Sequence, residues 1–220
     1  MNGKTHLAIG AVIGGVYGLV HAADSGLDTL LSFVAVGSFS ALAADLDGPS
    51  LLTRKLSKLS RMLHSGCIIV GLAALLIIGG LWLTQEQFRP PWLLAAVAGS
   101  LLITLLGLLV SRGSWRNAMV SVTGGLLAAY GYIESWHWLI GLGVFTIIAP
   151  WLSHRGLTHT IWVVPLWGWI GFSLEAQLGI AGIGIAAMLT YLSHIIADMF
   201  TPAGVKLLYP LSKKKFRLKL

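Results

Sequence analysis

Long apolar stretches separated by short polar or turn-forming breaks set the rhythm of this chain. Eight such runs fall at approximately 5–21, 27–44, 65–84, 91–111, 118–134, 137–153, 158–174 and 179–199. A helix crossing a bilayer needs roughly 20 mostly apolar residues and tolerates about 17, so each run is long enough to span. The pattern predicts an all-α, polytopic integral membrane bundle of about eight transmembrane helices. In the first run Gly10, Gly14 and Gly18 recur every fourth residue, a spacing that lets a second helix approach closely. A cleaved signal peptide is the competing reading of that run, since Val20 and Ala22 are small and Lys4 precedes it. The chain's Met1 and the polar His6 at the start of the run favour a retained helix inside a bundle.

Composition narrows the class further. The apolar fraction is 56%, charged residues make up 10%, and the mean hydropathy is +0.82. A soluble domain carries roughly a quarter charged residues, so this chain lacks the charge to coat a globule. A soluble enzyme, a disordered chain and a nucleic-acid-binding domain are excluded, despite a net charge of +7. The single cysteine, Cys67, excludes an internal disulfide and a paired-cysteine zinc site.

The basic excess is informative by position. If all eight runs span, 14 of the 15 Lys and Arg residues fall on one side of the membrane and Arg89 alone on the other. Lys and Arg mark the cytoplasmic face, which places both termini in the cytoplasm. The Lys-rich C-terminal tail reads most simply as an anchor for anionic lipids, and the tryptophans as interfacial belts.

That orientation also collects the ionisable side chains at helix ends. His6, Asp45, Asp47, His64, His154, His159, His194 and Asp198 all fall on the cytoplasmic side, although up to about 190 residues of sequence separate them. Ionisable residues in membrane helices are costly and point to function. A lone interfacial histidine is commonly an amphipathic side chain at headgroup level, and an Asp before Gly-Pro is commonly a turn residue. Convergence of the whole set on one face is what those ordinary roles do not account for. His194 and Asp198, at i and i+4, share a helix face. His154 and His159 are five apart and about 140° from each other on a helix, so both reach one site only if Arg155-Gly156 forms a turn. Asp45-Leu46-Asp47 precedes Gly48-Pro49, which ends its helix.

Four strings carry a family resemblance: Thr5-His6, Ala44-Asp45-Leu46-Asp47, the segment His154-Arg155-Gly156-Leu157-Thr158-His159-Thr160, and the segment from Leu192 through His194 and Asp198 to Val205. They resemble the YdjM-type, LexA-regulated, membrane-bound metal-dependent hydrolases of bacteria. More distantly the pattern is similar to the zinc-dependent phospholipase C and P1 nuclease group. The resemblance covers the first two and last two helices, with the stretch from about 65 to 152 as four inserted helices within one membrane domain, 1–64 and 153–205 forming its core. Family members commonly have His after the acidic pair, where this chain has Gly48, and His64 has no secure counterpart.

The resemblance implies hydrolysis of an ester or phosphoester. His6, Asp45, Asp47, His159, His194 and Asp198 are then the metal ligands. This mixture of nitrogen and oxygen donors suits Zn²⁺, with Mn²⁺ or Mg²⁺ as alternatives. Such a metal lowers the pKa of a water to about 7. Asp47 or Asp45 is the general base if it is not a ligand. Arg155 clamps a phosphate or stabilises transition-state charge, and His154 orients a neighbouring ligand. A site at headgroup depth ringed by cations suits an anionic lipid or a small amphipathic ester as substrate. The alternative is an ion-coupled transporter or a metal-binding membrane protein without hydrolase activity. Transporter sites lie near the midplane on broken helices, whereas here the polar cluster is at helix ends.

Overall fold

A computed structural model describes residues 2–21, 26–84, 90 and 92–218. Ala22 and Arg89, read in the sequence, lie outside the described residues. The chain forms eight α-helices among the described residues: α1 (Gly3–His21), α2 (Leu27–Ala43), α3 (Arg54–Thr84), α4 (Trp92–Leu109), α5 (Arg112–Ile133), α6 (His137–Ile148), α7 (Val163–Leu178) and α8 (Ile183–Met199). Short 3-10 turns follow α2 at Ala44–Asp47, follow α6 at Ala149–Trp151, and lead into α7 at Leu157–His159. No strand is present among the described residues; a single antiparallel bridge joins Val205 and Phe216. The protein is an all-helical membrane bundle. The span Leu27–Asp47, α1, α3 and α4 are each long and apolar enough to cross a membrane, and His137–Trp151 and α8 are shorter apolar helices.

Two compact units make up the chain, Met1–Arg54 with Val120–Leu220, and Lys55–Met119. The sequence places an inserted segment at about 65–152, whereas the separate unit is 55–119. The difference lies in α6, whose Phe145 and Ala149 are buried in the same core as Trp167 of α7 and Tyr191 of α8. An apolar run carries no mark of which partner covers it, so the sequence pattern does not separate α6 from a true insertion.

α3 runs 31 residues rather than the expected 20, because its first turns carry Arg54, Lys55, Lys58 and Arg61 before the apolar stretch begins. At 1.5 Å per residue it is about 46 Å long, against a hydrocarbon core of about 30 Å.

Within the larger unit, α1 and α2 pack at minimal separation. A Cβ on Gly10 would collide with the Gly37 carbonyl, and one on Gly14 with the Phe33 carbonyl. The four-residue glycine spacing therefore does what its pattern predicts. α2 in turn packs on α8, and α8 on α7. Ala41, Ala43 and Ala44 are fully buried at the end of α2, where small side chains allow α8 to come close. This packing sets His6, the end of α2 and the end of α8 side by side.

Candidate metal centre

The deepest polar cluster sits where α1, α2, α8 and the 149–160 connection meet. His6, His159, His194 and Asp198 are all at most 2% exposed. His194 and Asp198 project from one face of α8, with Nε2 of His194 4.0 Å from Oδ2 of Asp198, as the i, i+4 spacing predicts. His6 stacks on His194 with ring centroids 3.8 Å apart, and its Nε2 lies 3.3 Å from Oδ1 of Asp198. Asp45, from the 3-10 turn after α2, brings Oδ1 to 3.6 Å from His194 Nε2 and 3.8 Å from His159 Nε2.

Hydrogen bonds fix which ring nitrogens face the centre. Nδ1–H of His194 donates to the Ala41 carbonyl at 2.6 Å. That carbonyl lies in the last turn of α2, where intrahelical donors run out. A carbonyl only accepts, so the proton is on Nδ1 and the His194 Nε2 carries a lone pair. Thr158 Oγ1–H donates to Asp47 Oδ2 at 2.6 Å, which leaves its oxygen to accept from His159 Nδ1–H at 2.9 Å. The Nε2 of His159 therefore also carries a lone pair. The two bare nitrogens lie 3.1 Å apart.

Two lone pairs at that distance repel unless a cation or proton lies between them, and the neighbouring atoms fit a cation. Tetrahedral Zn²⁺ with bonds of about 2.0–2.1 Å sets its ligand atoms about 3.3–3.4 Å from one another. His159 Nε2, His194 Nε2, Asp45 Oδ1 and Asp198 Oδ2 are separated by 3.1–4.0 Å over five of their six pairings. His6 adds a second signature, since its buried Nδ1 has no hydrogen-bond partner among the described residues. His6, Asp45, His159, His194 and Asp198 are thus brought together as the sequence predicts.

Three further residues that the sequence singles out surround this cluster. Asp47 is buried and does not face the paired nitrogens. Its Oδ1 accepts from His154 Nδ1–H at 2.7 Å, and its Oδ2 accepts from the Arg155 backbone N–H at 3.1 Å and from Thr158. These bonds tie the 154–158 turn to the end of α2, and Asp47 also stands with Asp45 and His154 in a second group of possible ligand atoms within 4.8 Å of one another. His154, with its side chain 54% exposed, meets the cluster through Asp47 and sets its ring edge-on to His159, with centroids 5.6 Å apart. That hydrogen bond is the main cause holding its imidazole pKa above the usual range. The expected role of His154, orienting a neighbour, agrees with this contact.

Arg155 is the third case. Its Nη2 pairs with Asp198 Oδ2 at 3.1 Å, and its Nη1 donates to Thr201 Oγ1 at 2.8 Å. A guanidinium committed in this way holds Asp198 in place rather than waiting for a phosphate. Its backbone adopts φ +57°, and this left-handed turn directs the Arg155 N–H at Asp47 and swings His159 inward. Gly156 completes the turn, because a Cβ there would strike Ser153. The turn that the five-residue histidine spacing demands is present.

Gly48, where the family pattern commonly has His, lies beneath His154, and a Cβ at 48 would approach His154 Nδ1 to 3.3 Å. Two positions escape a reading of motifs. Thr158 relays Asp47 to His159, and Tyr191 donates its hydroxyl to the Thr158 carbonyl at 2.6 Å. The signal for Tyr191 was its place three residues before His194 on the same helix face. His64 lies on α3 in the other unit.

Comparison with known proteins bears on the part of the chain that contains this turn and α8. Residues 121–220 match the family model described as YdjM inner membrane protein. Over this stretch the chain is similar to the YdjM family. Inner membrane protein YdjM of Escherichia coli (strain K12) and its counterpart of the same name in Shigella flexneri are each 42% identical over 73 residues, 32% of this chain. The matched stretch spans 37% of the length of these curated relatives. No solved structure matches the chain significantly. The YdjM match and the apolar helices together identify a multi-pass inner membrane protein. The match begins at 121, so most of α5 and all of α6, which the motif reading assigns to an insertion, lie inside the YdjM region, while His6, Asp45 and Asp47 lie before it.

Proposed function

We propose that the protein is a metal-dependent hydrolase embedded in the inner membrane, acting from the cytoplasmic face on an ester or phosphoester of a lipid or other amphipathic substrate. The observation that carries this reading is the pair of lone-pair nitrogens of His159 and His194 set 3.1 Å apart, with Asp45 and Asp198 oxygens on either side. His159, His194, Asp45 and Asp198 would hold the ion, with His6 adjoining, and Zn²⁺ fits this donor set better than Mn²⁺ or Mg²⁺. A divalent metal there supplies Lewis acidity that brings the pKa of water toward neutrality.

The chain's own residues do the rest. Asp45 is the partly exposed carboxylate of the cluster, with its side chain 18% accessible, and it takes the proton of an attacking water only if His159, His194 and Asp198 hold the ion without it. Hydrolysis transfers the water oxygen to the acyl carbon or phosphorus and the proton to the departing oxygen. Asp47, Thr158 and Ala41 hold the histidine tautomers, and Arg155 holds Asp198. These groups keep the donor geometry fixed without reorganisation. Basic residues near the helix ends favour anionic lipids as partners.

The test is direct. Purified, zinc-loaded protein is incubated with inner-membrane lipid extract and products are followed by mass spectrometry, with His194→Ala as the blank. A metal-dependent product absent from the variant supports the reading. Metal binding without any product across lipid and nucleotide-linked esters replaces it with a metal-binding membrane protein that lacks hydrolase activity.

A further inference from the structure

The cluster has an apolar neighbour. A cavity of about 430 Å³ opens between α6 and α7. One wall is Ile140, Val144 and Ile148, successive residues of one α6 face, and the other is Leu166 and Trp169 of α7. Val144, Ile148, Leu166 and Trp169 are each about half exposed, on surfaces that a membrane protein turns toward lipid. Gly141 keeps the cleft's shape, because a Cβ there would press into the Trp169 ring. The foot of the cavity is formed by Leu152, Leu157 and Thr158, residues that bracket the His154–Gly156 turn. Thr158 belongs to both features, lining the foot of the groove and donating its hydroxyl to Asp47.

We propose that this groove holds one linear hydrocarbon chain of a membrane lipid and so presents the bond at the head of that chain to the metal centre. The proposal rests on the hydrolase reading for the fate of the bond and names the substrate class, a lipid bearing at least one extended chain. Three observations select this occupant. The lining is apolar throughout, so nothing along the groove pairs with a polar ligand. Between Ile140 and Ile148 the groove runs about 12 Å, and a protein helix of about 10 Å diameter over that length fills roughly 900 Å³, twice the cavity. The foot of the groove, Leu152, Leu157 and Thr158, brackets the His154–Gly156 turn, so a chain lying in it ends beside the candidate site.

The probe is phosphatidylglycerol carrying a diazirine on one acyl chain, incorporated in nanodiscs with the full-length zinc-loaded protein, photolysed, and mapped by peptide mass spectrometry. Label concentrates severalfold on Val144, Ile148 and Leu166 over Leu126, an exposed apolar position on α5 outside the groove. Leu166→Trp, which fills the groove, abolishes that excess, and the milder Leu166→Phe reduces it; both keep zinc content, which reports a folded centre. Label spread evenly over Leu126 and the groove residues, or unchanged by Leu166→Phe, overturns the proposal. His194→Ala separates the two readings: it keeps the groove label if the cleft binds the chain independently of catalysis. Groove labelling with no lipid product from the wild type overturns the substrate assignment and the hydrolase reading together, and product formation unaffected by both Leu166 variants overturns the groove alone.

Discussion

His194 donates its Nδ1 proton to the carbonyl of Ala41, 153 residues earlier in the chain. The tautomer of a candidate ligand on α8 is thereby set by the unwound end of α2, and the same logic repeats at His159 through Thr158 and Asp47.

Thr158→Val removes the hydroxyl relay at nearly constant volume and leaves the His159 tautomer unfixed. Zinc affinity falls about 10- to 100-fold, the usual cost of losing an outer hydrogen-bond partner of a metal-binding histidine. Competitive titration against a fluorescent chelator measures it, and an unchanged affinity refutes the relay. His159→Ala and His194→Ala lose stoichiometric binding altogether.

Arg155→Ala weakens zinc binding as well as turnover, because the guanidinium holds Asp198. A charge-assisted bond of this kind contributes about 1.5–3 kcal/mol. Arg155→Lys does not restore the wild type, since one ammonium cannot replace the fork that engages Asp198 and Thr201 together. Intact metal affinity in Arg155→Ala, with turnover alone reduced, returns the residue to a direct role on substrate.

Tyr191→Phe leaves the buried Thr158 carbonyl without its donor and lowers stability by about 1–3 kcal/mol. Thermal unfolding in detergent, followed by tryptophan fluorescence, shows a lower Tm while the secondary structure is unchanged. Equal Tm values for the two proteins contradict this.

Gly14→Leu forces α1 from α2, where the Phe33 carbonyl fills the space. Overpacking at such a contact costs about 1–3 kcal/mol, and His6 is displaced with its helix, so loss of stability and loss of zinc affinity appear in the same variant. A Gly125→Leu control faces open space and changes neither.

Reporter fusions at Gly26 and Gln177 both give the external signal if the termini are cytoplasmic. A cytoplasmic signal at either position breaks the eight-span arrangement read from the Lys and Arg distribution.

The helical bundle was legible because burial in lipid demands long apolar runs, and the glycine repeat of α1 disclosed its contact with α2. His6, Asp45, His159, His194 and Asp198 were legible because topology alone carries them to one end of the bundle. The division of labour among them was not. Asp45 and Asp47 differ by two positions and share a chemistry, and only the approach of the 154–158 turn brings three hydrogen-bond donors to Asp47. Arg155 reads as a free cation until Asp198 and Thr201 are brought against it. The extent of the separate unit, 55–119 rather than 65–152, depends on which apolar faces meet, and side-chain identity does not encode that.

The His194–Ala41 bond also bears on biosynthesis. Donors at positions 6, 45, 159, 194 and 198 come from both extremes of the chain, and the last two leave the ribosome after seven helices have been made. A nascent chain lacking α8 has neither His194 nor Asp198 and leaves the Ala41 carbonyl open, so under the proposed function an ion would be held only after the final helix has inserted, and metal content would report completed assembly.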